Sequence, residues 1–126
     1  MALIVKKFGG SSVGNIDKIK AVPKRILDEK QPDDKIVVVV SAMGDTTDDL
    51  IQLAKGITKD PYQYTREMDM LLTTGEQVSI SLLTMAFKAL GQKAISLTGA
   101  LAGVKTNSVH TKGKIKDIQP KRIFEE

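Results

Sequence analysis

The chain has 126 residues, of which 41% are hydrophobic and 27% are charged, and it contains no cysteine. This length and composition fit one globular domain and exclude a collagen-like, wholly disordered or disulfide-stabilised chain. The longest aliphatic run, residues 36–40, is far shorter than the ~20 residues that cross a bilayer, and the N-terminus lacks the charge order of a signal peptide. We therefore predict a cytoplasmic protein with no membrane contact and no export.

The net charge is +4, and much of the excess lies late in the chain, in Lys105, Lys112, Lys114, Lys116, Lys121 and Arg122. Nucleic-acid binding would favour aromatic side chains among these cations, and only Phe124 is near them. We predict a solvated basic face and no nucleic-acid partner; a site for an anionic ligand is the alternative.

The first elements are a strand over residues 3–8, bounded by Gly9 and Gly10, and a helix that Asn15 caps. Pro32 is the predicted stop of that helix. Its apolar residues recur at helical spacing: Ile16, Ile19, Val22, Ile26 and Leu27. Pro23 lies inside this pattern and predicts a kink or break near Ala21 and Val22, because proline removes a backbone donor.

Residues 36–40 are β-branched throughout and predict a strand that is covered on both faces in a parallel sheet. A polar loop over 41–49 and a short helix around 50–54 follow. Pro61 is expected to open a further helix, which the Thr73-Thr74-Gly75 triplet separates from a second one that Gly91 caps. We predict a third strand over 94–97 and a short strand around Ile115.

This order predicts an α/β fold with a mostly parallel sheet between helices. In such sheets, ligands bind beyond the carboxyl ends of the strands. That rule would gather three polar stretches at one rim, namely residues 9–12, 41–49 and 98–105.

The first of these stretches, residues 9–12, is a glycine loop, and Lys7 precedes it. Glycines allow backbone N–H groups to approach phosphoryl oxygens, the following helix N-terminus adds partial positive charge, and a strand lysine can neutralise a transferring group. The loop matches neither a Walker A sequence nor the dinucleotide fingerprint. The alternative from the residues alone is an ordinary tight turn beside a surface lysine.

Residues 41–49 place hydroxyls and carboxylates where a buried strand enters a helix. From the residues alone helix capping is favoured, because Thr46 and Asp49 have the spacing of a capping box. Glu76 follows Gly75 at the predicted start of an apolar helix, which suggests either a helix-dipole carboxylate or an acceptor for a substrate ammonium group. His110 is the only histidine and is expected to be structural.

Four ordered segments together resemble the aspartate kinases of the amino acid kinase family. Residues 7–13 resemble the opening lysine, aromatic, Gly-Gly, Ser/Thr-Ser signature, and residues 41–50 resemble the Ser-Ala-Met-Gly-x-Thr-Thr-Asp loop. The stretch 66–79 resembles the Arg-Glu-Met-Asp and Gly-Glu elements, and residues 98–103 with His110 resemble the next block. Leu101 departs from that block, where the family usually has glutamine.

The resemblance implies that Lys7, Gly9, Gly10 and Ser11 contact the phosphates of ATP, and that Lys7 stabilises the transferred phosphoryl group. It implies that Thr47 and Glu76 bind L-aspartate, Glu76 through the α-ammonium group, and that Ser41 helps to shape that pocket. The reaction implied is phosphorylation of L-aspartate to 4-phospho-L-aspartate, with Mg²⁺ bound through the ATP phosphates and no metal held by the chain itself. This is the entry step toward lysine, threonine and methionine.

The resemblance further implies that residues 1–126 form the N-terminal part of one catalytic domain. The nucleotide-binding C-terminal half and the regulatory ACT domains would be absent, so we expect no activity from this chain alone. We also expect exposed apolar surface, with self-association or association with the missing half. The alternatives are a non-catalytic interaction module on the same fold, and an amino acid kinase with a different carboxylate substrate.

Overall fold

The computed structural model describes residues 2–99, 101–106 and 115–118, the last four and residues 105 and 106 by their backbone alone. These described residues form three helices: α1 (Ile16–Glu29), α2 (Thr46–Ile57) and α3 (Thr65–Ala89). The strands are β1 (Leu3–Phe8), β2 (Lys35–Val40), β3 (Val104–Thr106) and β4 (Ile115–Ile118). Short 3₁₀ turns lie at Gly10–Val13 and Pro61–Gln63, so Pro61 opens a 3₁₀ turn at its first position. His110 and most of the late basic residues lie outside the described part.

Strands β1 and β2 form a parallel pair in which Leu3 lies opposite Lys35 and Phe8 opposite Val40. Because side chains alternate along a strand, one face of the pair carries Phe8, Val38 and Val40, and these pack on the core. The core itself is built from α1, α3 and the 3₁₀ turn, through Val13, Ile19, Val22, Ile26, Leu83 and Phe87. The predicted α/β class, with a parallel strand pair packed on helices, is confirmed.

The other face of the strand pair is open in the described part of the chain. Leu3 is 56% exposed, Val5 65% and Val39 46%. The prediction that residues 36–40 are covered on both faces is therefore wrong for Val39. A β-branched run is typical of a strand with other elements packed on both faces. In the described residues, elements pack on only one face.

Helix α1 is continuous through Pro23, so the predicted break near Ala21 and Val22 is wrong. Proline inside a helix costs about 3 kcal/mol, but here Pro23 is fully buried together with Ile19 and Ile26. Burial of these apolar side chains offsets the lost hydrogen bond. The predicted N-cap is confirmed, because the side-chain oxygen of Asn15 accepts from the Lys18 backbone N–H at 2.9 Å.

Helix α3 runs for 25 residues without interruption, so the separation predicted at residues 73–75 is wrong. The hydroxyls of Thr73 and Thr74 donate to the carbonyls of Met70 and Leu71, which keeps both side chains satisfied within the helix. Gly75 is buried in α3 rather than ending it. No helix in the described ranges is long and apolar enough to cross a membrane.

Helix α2 begins at Thr46, four residues earlier than predicted, and its N-cap residue is Asp45. The predicted capping box of Thr46 and Asp49 is wrong, because the Thr46 hydroxyl donates backward to the Met43 carbonyl. Asp48 and Asp49 do lie in the first turn, where the helix dipole favours carboxylates.

The structure after α3 differs from the prediction of a third strand. Gly91 adopts φ +80 after α3, as expected for a left-handed cap, but residues 94–97 form no strand. Strands β3 and β4 instead pair with each other in antiparallel orientation. The short strand expected around Ile115 is confirmed as β4.

Candidate functional site

The glycine loop leaves β1 in an extended conformation and turns at once into the 3₁₀ segment. Gly9 has φ −79 and ψ 174, values open to any residue, and an added Cβ there would meet nothing within 4 Å. The protein's own packing therefore gives no reason for glycine at this position. Open space beside an accessible backbone is what a phosphate needs for close approach to N–H groups.

At Gly10, in contrast, the packing of the protein leaves no room for a side chain. A Cβ at Gly10 would lie 3.0 Å from the Ala42 carbonyl oxygen and 3.3 Å from that of Gly44. In the same contact, the Gly44 N–H donates to the Gly10 carbonyl at 3.0 Å, and Gly44 adopts φ +47. The close approach of two backbones thus joins the glycine loop to the loop after β2.

Two neighbouring lysines in β1 point to opposite faces of the strand pair. Lys6 faces α1 and forms an ion pair with Glu29 near the end of that helix. The Lys6 hydrogen bond and its charge, with a smaller contribution from Arg25, hold the pKa of the Glu29 carboxyl below its ordinary value. Lys7 lies on the open face, exposed, and has no ion pair or hydrogen bond with the described residues. Its charge is therefore available to a bound anion.

The loop after β2 carries the predicted residues Ser41 and Thr47. The Ser41 N–H donates to the Phe8 carbonyl at 3.1 Å, which extends the contact between β1 and β2 by one residue. Thr47 is half-buried in the first turn of α2. Both hydroxyls therefore lie where the second strand ends and the helix begins.

Helix α3 meets this loop through its smallest residue. A Cβ at Gly75 would lie 3.1 Å from the Ala42 Cβ and 3.5 Å from the Thr46 Cγ2. The adjacent Glu76 has an exposed side chain with no hydrogen bond or ion pair to the described residues. Because Glu76 lies in the middle of α3, the suggested role as a helix-dipole carboxylate is wrong.

The structure therefore brings together three of the segments that contain predicted site residues, namely the glycine loop, the loop after β2 and the middle of α3. The contacts run from Gly10 to Ala42 and Gly44, and from Gly75 to Ala42 and Thr46. The stretch beginning at Thr98 is not joined to these segments by any hydrogen bond among the described residues. Its described backbone hydrogen bonds are internal to the turn: Ala102 N–H to the Thr98 carbonyl and Val104 N–H to the Gly99 carbonyl.

Sequence reasoning missed two residues that hold these segments. The Lys18 Nζ donates to the Ser11 carbonyl at 3.0 Å, and Lys18 and Ser11 line an open cleft of about 400 Å³ between the glycine loop and α1. The fully buried Ser79 donates its hydroxyl to the Ser41 carbonyl at 2.7 Å. A lysine seven residues from its acceptor and a serine 38 residues from its acceptor give no local signal in the sequence.

Among the described residues, no group of three or more histidine, cysteine, aspartate or glutamate side chains is placed to hold a metal ion.

Comparison with known proteins gives a consistent result. The profile of the Amino acid kinase family matches residues 2–125. The aspartokinase of Geobacillus stearothermophilus is 53% identical over 123 residues, 98% of this chain and 30% of the relative. Aspartokinase 2 of Bacillus subtilis is 53% identical over 118 residues, 94% of this chain and 28% of that protein. The present chain thus spans under a third of the length of these relatives.

A solved structure agrees with the sequence relatives. The crystal structure of aspartate kinase from Synechocystis matches with a TM-score of 0.71 and 57% sequence identity, over 77% of this chain and 16% of that chain. The family profile covers nearly every residue, and the fold match covers most of the chain. The chain therefore belongs to the amino acid kinase family.

Proposed function

We propose that this chain supplies the phosphate-binding and aspartate-recognising part of an aspartate kinase. The single observation that carries the proposal is the junction of the glycine loop, the loop after β2 and the middle of α3 through direct contacts at Gly10 and Gly75. The aspartokinase names of relatives near 50% identity support the choice of aspartate as the substrate.

On the nucleotide side, Lys7, Gly9, Gly10 and Ser11 bind the phosphates of ATP. Gly9 offers backbone without an obstructing side chain, and Lys7 is a cation that no described carboxylate neutralises. A phosphoryl group carries negative charge on its oxygens throughout transfer, so an unpaired cation and N–H donors stabilise it. This is the role assigned to Lys7.

On the acceptor side, Thr47 and Glu76 bind L-aspartate, and Ser41 shapes the pocket. The exposed Glu76 carboxylate suits the α-ammonium group, because opposite charges attract and the carboxylate has no described partner to compete. The Thr47 hydroxyl can both donate and accept, which suits a substrate that carries carboxylates and an amine.

The reaction needs no general base from this chain. A free aspartate β-carboxyl has a pKa near ~3.9, so its oxygen is already a nucleophile at neutral pH. That oxygen forms a bond to the γ-phosphorus of ATP while the bond from phosphorus to the bridging oxygen breaks, and the electron pair leaves with ADP. Mg²⁺ bound to the ATP phosphates supplies further charge neutralisation. The chain's contribution is therefore positioning and electrostatics.

The test joins this chain to the remaining length of the Geobacillus aspartokinase in place of the matching segment. The acyl phosphate formed from ATP, Mg²⁺ and L-aspartate is trapped as the hydroxamate. We expect product from the joined enzyme, none from this chain alone, and a loss of on the order of a hundredfold or more in Lys7→Ala, as for a removed transition-state contact.

Lys6→Ala is the matched control for that assay. Lys6 is the neighbouring cation in the same strand, but it is paired with Glu29 on the opposite face. Its loss should leave turnover within about threefold, because an exposed ion pair contributes little. Equal losses in both variants would contradict the assignment of Lys7.

The same enzyme separates the alternatives. Turnover with glutamate, acetylglutamate or carbamate but not with aspartate would indicate another amino acid kinase. A folded chain that binds a partner protein but neither ATP nor aspartate would indicate an interaction module.

Association of the 126-residue chain is a further part of the proposal. Its support is the open face of the strand pair, where Leu3, Val5 and Val39 are about half exposed or more, since contiguous apolar surface favours association. Light scattering should give a mass above that of the monomer, and Val5→Lys should lower it. A cytoplasmic location, favoured by the absence of cysteine, completes the proposal.

A further inference from the structure

Ser79 is the buried polar side chain at the centre of the candidate site. Its exposed fraction is 0%, and it lies one turn after Gly75 and Glu76 on α3. A buried hydroxyl without a partner would destabilise the fold, so the placement of its proton matters.

The Ser79 hydroxyl has one proton and two acceptors within reach. The Ser41 carbonyl oxygen is at 2.7 Å and the Glu76 carbonyl oxygen, within the same helix, at 3.0 Å. Serine in a helix ordinarily donates back to a carbonyl of the preceding turn, as Ser81 does to Gln77 at 2.7 Å. The shorter contact of Ser79 leaves the helix and ends on the loop after β2.

This bond links two of the segments assigned to the acceptor substrate. Ser41 is the first residue after β2 and Thr47 lies six residues on, while Glu76 is three residues before Ser79. With the contact of Gly75 against Ala42 beside it, the bond fixes how far α3 stands from the loop. No other donor to the Ser41 carbonyl lies among the described residues.

We propose that Ser79 is a positioning residue for the acceptor substrate, which sets the separation of Glu76 from Ser41 and Thr47 through its hydrogen bond to the Ser41 carbonyl. Ser79 is itself fully buried, so it acts through its neighbours. The inference rests on the proposed function for the identity of the acceptor, L-aspartate. The glycine loop contacts the other side of the same loop, at Ala42 and Gly44, so the effect should fall mainly on the acceptor.

The kinetic test uses the joined enzyme described above. Ser79→Ala should raise the KM for L-aspartate by roughly tenfold, the change expected when one buried hydrogen bond is lost, and leave the KM for ATP within about twofold. Ser79→Cys has a somewhat larger side chain and keeps a weak S–H donor, so its KM for aspartate should fall between those of the unmodified enzyme and Ser79→Ala. A KM for aspartate that stays within twofold of the unmodified enzyme, or equal rises for both substrates, overturns the proposal.

Ser81→Ala is the matched control. It removes an equally short serine hydrogen bond from the same helix, but that bond ends within α3. Both KM values should stay within about twofold, because a bond internal to the helix adds little net stability and holds no loop. A rise in the KM for aspartate as large as that of Ser79→Ala would show a general effect on α3 and overturn the proposal.

A second measurement on the 126-residue chain separates this inference from the proposed function. The Gly44 N–H is bonded to the Gly10 carbonyl and the Thr46 N–H to the Met43 carbonyl. Amide hydrogen exchange at both should be faster by roughly tenfold in Ser79→Ala and unchanged in Ser81→Ala. Unchanged exchange overturns the positioning role. Faster exchange in the Ser79→Ala chain, together with a joined enzyme that forms no aspartyl phosphate, supports the positioning role and rejects the proposed substrate.

Discussion

Replacement of Gly75 by alanine tests whether α3 and the loop after β2 are as closely packed as the structure indicates. In the middle of a helix, alanine is favoured over glycine by about 0.5–1 kcal/mol. The new Cβ would lie 3.1 Å from the Ala42 Cβ, with Thr46 Cγ2 at 3.5 Å and Leu50 Cδ1 at 3.6 Å. Overpacking of this kind costs about 1–3 kcal/mol.

The overpacking cost should exceed the helix gain because Ala42 has little room to retreat. It is 4% exposed, the carbonyl of the preceding Ser41 accepts from the Ser79 hydroxyl, and the Gly44 N–H, two residues on, donates to the Gly10 carbonyl. We therefore expect Gly75→Ala to lower the free energy of unfolding by on the order of 1 kcal/mol. Equilibrium unfolding in urea, followed by far-ultraviolet circular dichroism, measures the change.

Gly56→Ala is the control for this experiment. Gly56 also lies in a helix, α2, but an added Cβ there meets nothing within 4 Å. The same substitution should then show the helix gain alone, a stabilisation of a few tenths to about 1 kcal/mol. If Gly75→Ala is stabilised as much as Gly56→Ala, the close packing inferred at Gly75 is refuted.

Three further predictions concern α1. Asn15→Ala should lower the free energy of unfolding by about 1 kcal/mol through loss of the N-cap bond, whereas Asn15→Asp should retain it; urea midpoints compare the two, and equal losses would contradict the capping role. The lowered pKa of Glu29 means that its pairing with Lys6 stabilises the fold above the ordinary carboxyl pKa, and that this stabilisation is lost as the pH falls through the pKa of the folded state. The free energy of unfolding of Glu29→Gln should therefore differ from that of the unmodified chain near neutral pH and converge with it in acid. A difference that stays constant with pH would refute this. Lys18→Ala should raise the KM for ATP in the joined enzyme by severalfold, because Lys18 holds the glycine loop. Lys20 is exposed on the same helix, and Lys20→Ala is the control that should leave the KM for ATP unchanged.

Local patterns in the sequence predicted the elements whose causes are local. Strand β1, the Asn15 cap and the left-handed Gly91 each depend on residues within a few positions. The helix separation predicted at residues 73–75 is wrong because it also depended on a local pattern. Glycine weakens a helix in isolation, but Gly75 is placed by its contact with Ala42, which lies 33 positions earlier in the sequence and cannot be read from a local window.

The candidate site shows the same division. Family resemblance proposed Lys7, Gly9 and Glu76 as ligand contacts, and all three are exposed. The residues that hold those groups, Lys18 and Ser79, donate to backbone carbonyls. Every residue has a carbonyl, so no residue type marks the acceptor and the pairing becomes visible only in three dimensions.

The alternation of Lys6 and Lys7 along β1 has a consequence for insertions and deletions. Because the side-chain period of a strand is two, a slip of one residue against β2 would exchange the two lysines between faces. Lys7, the cation proposed to meet the phosphate, would then face Glu29, and Lys6 would lie on the open face. Length variation should therefore be tolerated between α1 and β2, where the chain turns at the surface, and be harmful within β1.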